Sequence, residues 1–169
     1  MEFLLRPWKM SDLDHVVKNA GHPEITRYMS DGFPDSTEKW SSFLEMVTKA
    51  DALLYLAIDI GGQAVGGIGI TLQKDLLNNN AELGYWLSKD YHGLGIMGRA
   101  IIQIAGKAFE KFPELTRIYA TPFGTNYASH KVLEKAGFKL ETRLEKVVVK
   151  NGELLDELIY ALRRDELTH

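Results

Sequence analysis

The sequence predicts a mixed α/β domain whose sheet is mostly antiparallel. Three observations carry this: glycine turns between strand-like runs at Gly61-Gly62-Gln63 and Asn151-Gly152, helical periodicity in the segments between them, and a glycine-rich loop from His92 to Gly98 leading from a strand into a helix. Of the 169 residues, 45% are hydrophobic and 25% charged, close to the globular norm. No repeat, low-complexity tract or long Pro/Gly/Ser linker divides them, so one domain over residues 1–169 is expected.

Phe3 to Arg6 reads as a short strand. Ser11 and Asp14 make an S-x-x-D capping pattern for a helix with Leu13, Val16 and Val17 on one side, ending near Gly21 and Pro23. His22 to Asp35 reads as irregular and aromatic, and after Pro34 a second helix follows from Trp40, Phe43, Leu44 and Val47 at i, i+3, i+4, i+7. Leu53–Ile60 and Ala64–Leu72 are strands of an antiparallel hairpin. Asn78-Asn79-Asn80 marks a turn into a strand, Ala81–Leu87, with Leu83, Tyr85 and Leu87 on one face and Glu82, Gly84 and Trp86 on the other. Met97, Ile101, Ile104, Ala105, Ala108 and Phe109 then mark a helix that Phe112-Pro113 stops. A strand at Thr116–Thr121 precedes a short helix capped by Asn126, with Val132, Leu133 and Ala136 as its buried stripe and Gly137 as its stop. Val147 to Leu162 forms the last hairpin, with Asp156 and Tyr160 on one side of its second strand.

Composition excludes several functions. The net charge of −3 supplies no general basic field for nucleic acid or anionic lipid. Cysteine is absent, which removes thiol nucleophiles, disulfides and thiolate zinc sites. His15, His22, His92, His130 and His169 are scattered without ligand spacing, so no metal is expected. The opening run from Met1 to Lys9 has no apolar stretch of signal or membrane-span length, and a cytoplasmic address without membrane contact is the expectation.

The loop is the strongest signal. The first turn of a helix leaves N–H groups unpaired and carries about half a positive charge, and glycines let the backbone approach an anion closely; this is a place for phosphate. Gly93-x-Gly95-x-x-Gly98 matches the dinucleotide fingerprint literally. That fold needs an early parallel βαβ unit and an acidic residue closing the next strand, whereas hairpins precede this loop and Glu114 lies before the next strand. A P-loop is excluded because no G-x-x-x-x-G-K-[ST] occurs.

Leu5-Arg6-Pro7, Ala81 to Leu87 running into the loop, Asn126 to Phe138 and the final hairpin, in this order and spacing, resemble the GNAT N-acetyltransferases, and within them the branch of ribosomal-protein N-acetyltransferases. The resemblance implies a GNAT-like, mostly antiparallel twisted central sheet with helices on both faces. It also implies acetyl-CoA as cosubstrate, its diphosphate on the backbone of a [QR]-x-x-G-x-[GA] loop. In that register His92, Gly95 and Met97 take the three defined positions; His92 stands for a long polar residue and Met97 for a small one, with Gly98 directly behind. The implied cofactor residues are Trp86, Leu87, Ser88, His92, Gly93, Leu94, Gly95, Ile96, Met97, Gly98, Arg99, Asn126 and Ser129. Asn126 would bind the pantetheine arm and Ser129 would lie near the CoA sulfur as an acid. Arg99 reads equally as a phosphate contact or a solvent-facing helix residue.

Attack on a thioester needs an unprotonated amine, and free amines titrate near 8 to 10, so a base must take a proton. Glu82 is the candidate base, with Gly84 beside it leaving room for substrate; the other reading of Glu82 is an ordinary exposed strand residue. Backbone N–H groups at Trp86 to Ser88 are candidates for the oxyanion, as the splayed strands that the resemblance implies would allow. Without cysteine or a G-x-S-x-G elbow, direct transfer is preferred to an acyl-enzyme. The resemblance puts the last hairpin, with Asp156 and Tyr160, beside the acceptor, and Tyr28, Phe33, Glu82 and Gly84 are further candidate contacts; each also has a structural reading. The expected partner is an amine, a peptide N-terminus or a small molecule such as a polyamine or antibiotic, met by a monomer or homodimer. The competing class is an acyl-CoA-binding sensor or interaction domain without turnover.

Overall fold

A computed structural model describes residues 1–49 and 54–168. Seven strands form one sheet in the order β1-β2-β3-β4-β5-β7-β6. They are β1 (Leu4–Pro7), β2 (Leu54–Ile60), β3 (Gln63–Leu72), β4 (Asn80–Leu87), β5 (Arg117–Ala120), β6 (Lys139–Lys150) and β7 (Glu153–Arg163). The pairs β1·β2, β5·β7 and β6·β7 are antiparallel, and β4·β5 is parallel over Asn80–Glu82 and Arg117–Tyr119. The helices are α1 (Leu13–Ala20), α2 (Pro23–Thr26), α3 (Thr37–Lys49), α4 (Ile96–Lys111) and α5 (Tyr127–Lys135). No helix among the described residues is long and apolar enough to cross a membrane. Leu53, expected at the start of the first hairpin, lies outside the described residues, as does His169.

Two compact units emerge: Met1–Gly69 with Gly84–Ile96, and Ile70–Leu83 with the chain from Met97 onward. In the first, an aromatic core gathers Trp8, Val16, Ile25, Trp40, Leu44 and Trp86. Trp40 lies between Phe33, Phe43 and Trp86 at ring distances of 5.3, 5.5 and 5.9 Å, edge-on or tilted as ring quadrupoles prefer. The same unit holds a buried ion network. Arg6 Nη1 and Nη2 donate to the two carboxylate oxygens of Asp12 at 2.8 Å, and Nε donates to Asp59 at 2.6 Å. Asp59 also accepts from the Gly62 amide at 2.8 Å, tying the network to the β2–β3 turn. Burial pushes the Asp12 carboxyl up, but hydrogen bonds from Arg6 and the Lys9 amide outweigh it and hold the group below the usual carboxylate range.

This network corrects the N-terminal capping expectation. No side-chain cap is made by Ser11; Asp12 accepts from the Lys9 amide at 2.9 Å and ends a short 3-10 turn before α1. The buried stripe of α1 is Val16 and Ala20, and Val17 is 37% exposed. The segment expected to be irregular contains α2, whose cap is His22, its Nδ1 accepting from the Glu24 amide at 3.1 Å. Ser36 caps α3 by accepting from the Lys39 amide at 3.2 Å.

In the second unit, α4 contributes Met97, Ala100, Ile101, Ile104, Ala105, Ala108 and Phe109 to the core. Arg164 ties the end of α4 to the turn that follows it, its guanidinium donating to Phe109 O and Phe112 O at 2.8 Å and to Leu115 O at 2.9 Å. The helix α5 ends in a Schellman motif: the Phe138 amide donates to Leu133 O and the Gly137 amide to Glu134 O, both at 3.0 Å. In the last hairpin, β6 begins at Lys139, earlier than the pattern suggests, because a bulge between Leu144 and Val148 interrupts its alternation.

Candidate functional site

The loop between β4 and α4 takes the conformation an anion cradle requires. Gly93 and Gly95 have φ of +76° and +70°, in the left-handed region that a side chain resists, and a Cβ at either, or at Gly98, would enter open space. The loop feeds the N-terminus of the 16-residue α4. The two residues that depart from the family pattern have structural employment. His92 Nε2 bonds Leu87 O at 2.8 Å, closing the loop onto the end of β4, and the Met97 side chain is buried in the core. The His92 amide donates to Lys89 O at 3.1 Å and so is occupied within the loop. The open, glycine-lined bend and the adjoining first turn of α4 fit a diphosphate; Arg99 sits exposed on that turn.

One expected oxyanion donor is removed. The Ser88 amide donates to Val65 O at 2.7 Å within the sheet, and the buried Ser88 hydroxyl faces Asn19 Oδ1 at 3.5 Å. Leu87 is buried, and Trp86 belongs to the aromatic core with Phe33, whose ring stands 6.3 Å from it. Tyr28 lies under the Arg27 guanidinium at 4.6 Å. Gly84 is exposed, with open space where a Cβ would be.

In the second unit, Asn126 caps α5 by accepting from the Ser129 amide at 3.2 Å, and Ser129 is buried in the first turn. The strand register groups other candidates. Glu82 on β4 stands beside Tyr119 on β5, and Tyr119 beside Ala161 on β7. By period two, Thr121, Ile159 and Glu157 share that face, all half-buried. Thr121 Oγ1 donates to Glu82 Oε1 at 3.4 Å. Burial first, and then the Glu82 carboxylate, push the Tyr119 phenol up, so it stays protonated at neutral pH.

Asp156 and Tyr160 project to the opposite face, as period two requires. Asp156 accepts from Arg143 Nε at 2.7 Å and from the Lys146 amide at 2.9 Å, holding the bulge where Lys146 has φ +52°. Tyr160 is 3% exposed, donates to Glu134 at 2.9 Å and stacks on His130 at 5.8 Å. Its phenol is pushed up to about 12, first by burial and then by Glu134. Replacing Tyr160 with Phe is expected to cost about 0.5–1.5 kcal/mol, the net value of one hydrogen bond, as read by urea unfolding. Sequence reasoning did not group Glu157 and Tyr119 with Glu82; the register of β4, β5 and β7 shows the face they share.

Comparison with known proteins fits this arrangement. Residues 2–139 match the model of the acetyltransferase (GNAT) domain, and the chain belongs to that family. It is 34% identical over 92 residues to a protein of Bacillus subtilis named putative ribosomal N-acetyltransferase YdaF, a match covering 54% of this chain and about half, 50%, of that relative. It is 26% identical over 156 residues to a second Bacillus subtilis protein, the SPbeta prophage-derived uncharacterized N-acetyltransferase YokL, covering 90% of this chain and 86% of the relative. Among solved structures, Mycobacterium smegmatis RimJ in complex with CoA-disulfide superposes with a TM-score of 0.84 at 25% identity, over 99% of this chain and 84% of that one.

Proposed function

We propose that this protein transfers an acetyl group from acetyl-CoA directly to a primary amine. The observation that carries the reading is the β4–α4 loop, with two left-handed glycines opening onto the first turn of a long helix. Membership of the GNAT family and the CoA named with RimJ support it. When bound, acetyl-CoA supplies the activated acetyl group as a thioester. The amides from Gly93 into the first turn of α4 hold its diphosphate, and Arg99 adds a charge. Glu82 takes a proton from the attacking amine, and Ser129, near the positive end of α5, gives one to the departing thiolate. Asn126 orients the pantetheine arm. The acceptor proposed first is a protein N-terminus, after the ribosomal N-acetyltransferase named among the relatives, with a small amine next.

The test follows thiol release from acetyl-CoA across peptides with free α-amines, polyamines and aminoglycosides. Release with at least one amine is expected, together with about 2.7 kcal/mol of stabilisation at CoA 100-fold above its dissociation constant. Stabilisation by CoA without turnover on any amine would establish the sensor instead. No stabilisation by CoA would remove the reading altogether.

A further inference from the structure

A cavity of about 690 Å³ opens beside α3 in the first unit, and neither the ion network nor the glycine loop uses it. Glu38, Ser42 and Met46 recur at i, i+4 and i+8, so one stripe of α3 forms a wall. Phe33, Phe43 and Tyr55 supply aromatic surfaces, and each ring is held by another. Phe33 stands edge-on to Trp40 at 5.3 Å, Phe43 edge-on to Trp40 at 5.5 Å, and Tyr55 edge-on to Phe43 at 6.3 Å. The Tyr55 ring also lies against Gly69 of β3, where a Cβ would come within 2.3 Å of it, so glycine is what lets the ring rest on the sheet.

The lining selects an occupant. Its walls are mostly apolar, and Met46, 52% exposed, adapts to the shape of what enters. Lys39 is neutralised by Asp35 at 2.8 Å, whereas Glu38 has no hydrogen bond or ion pair among the described residues. One negative charge therefore stands over an apolar interior. That suits a large apolar side chain with a basic residue beside it; a polyamine would bring several charges to a single unpaired carboxylate. The cavity also has a position relative to the acceptor. Phe33 meets Trp86 edge-on at 6.3 Å, and Trp86 shares a face of β4 with Gly84, which is exposed with open space where a Cβ would be. One ring contact and one strand period put the cavity roughly 10–15 Å from Gly84, a gap that three or four extended residues span at about 3.3 Å each. A compact amine does not bridge it.

We propose that this cavity is the specificity pocket for the acceptor, and that it takes a large apolar side chain, flanked by a basic residue, at the third or fourth position of a polypeptide whose α-amine is acetylated. The inference rests on the proposed transfer to an amine and narrows it to one kind of acceptor. Phe33, Phe43, Met46 and Tyr55 hold the side chain, and Glu38 pairs with the flanking cation. None of them touches the reacting nitrogen. They decide which chain is held, and so act on kcat/KM without supplying a proton or a bond.

The test measures thiol release from acetyl-CoA with alanine-based peptides bearing a free α-amine, in which a leucine followed by a lysine is moved from the second position to the sixth. The kcat/KM is expected to peak with leucine third or fourth, about 10- to 100-fold above the peptide with alanine there, the range for burying one large apolar side chain. Ser42→Trp, which fills the cavity from an exposed position on α3, should bring that ratio close to one, while Ser42→Ala keeps it. Damage to the fold would lower both peptides together and leave the ratio unmoved. Glu38→Gln should slow the leucine peptide a few-fold at low salt when lysine follows, and not when glutamine does. Release that ignores the leucine, or a ratio that survives Ser42→Trp, overturns this inference alone. Polyamines turned over faster than every peptide, with that advantage lost in Ser42→Trp, would give the cavity to a second ammonium group and overturn it as well. No release with any amine removes it together with the reading it rests on.

Discussion

Replacing Arg6 with methionine is expected to destabilise the protein by about 3–5 kcal/mol, a large fraction of a typical domain's total stability. The guanidinium binds two buried carboxylates, and their side chains are only 5% and 7% exposed. Methionine fills much of the volume and supplies no donor, so Asp12 and Asp59 would remain buried, close together and without their cation. The loss should depend on pH in a stated direction. The Asp12 carboxyl is held below its ordinary value, so its contribution is complete above the unfolded carboxylate range, about 3.9, and disappears as pH falls through the lower folded value. The difference between parent and variant, measured by urea unfolding, is therefore largest near neutrality and shrinks toward acid. A constant difference down to low pH would mean that packing, not the ion network, holds this corner.

How much of this was legible in the sequence depended on the range of the interaction. Turns are local, and Asn151-Gly152 lies where its composition demanded, with φ of +50° and +78°. The Asn126 cap and the Gly137 stop were equally legible because each involves partners within five residues. Asp12 was not. Ser11 and Asp14 have the right local spacing for a capping box, yet Arg6 recruits the residue between them, and nothing in a helical pattern weighs a cation in the preceding strand. The last hairpin shows the same limit from the other side. Period two grouped Asp156 with Tyr160, but alternation alone does not tell which face packs beneath a helix. Tyr160 reaches Glu134 of α5, and the face shared with Glu82 carries Glu157 instead.

Glu82→Gln is expected to lower the rate of thiol release by about 10²- to 10⁴-fold, the range that a positioned general base supplies. Glutamine keeps the shape of the side chain and an oxygen that can still accept from Thr121, so stability should change by no more than about 0.5 kcal/mol. CoA affinity should be unchanged, since the loop amides proposed to hold it are untouched. The combination matters, because a lost rate with intact folding and intact CoA binding locates the fault in proton transfer. Raising the pH separates the remaining possibilities. An amine that has already lost its proton to solvent needs no base, so the gap between parent and variant should narrow as pH rises toward the amine's own ionisation near 8 to 10. A variant within a few-fold of the parent at neutral pH would show that solvent or another group takes the proton, and Glu82 would then be only a half-buried strand residue bonded to Thr121.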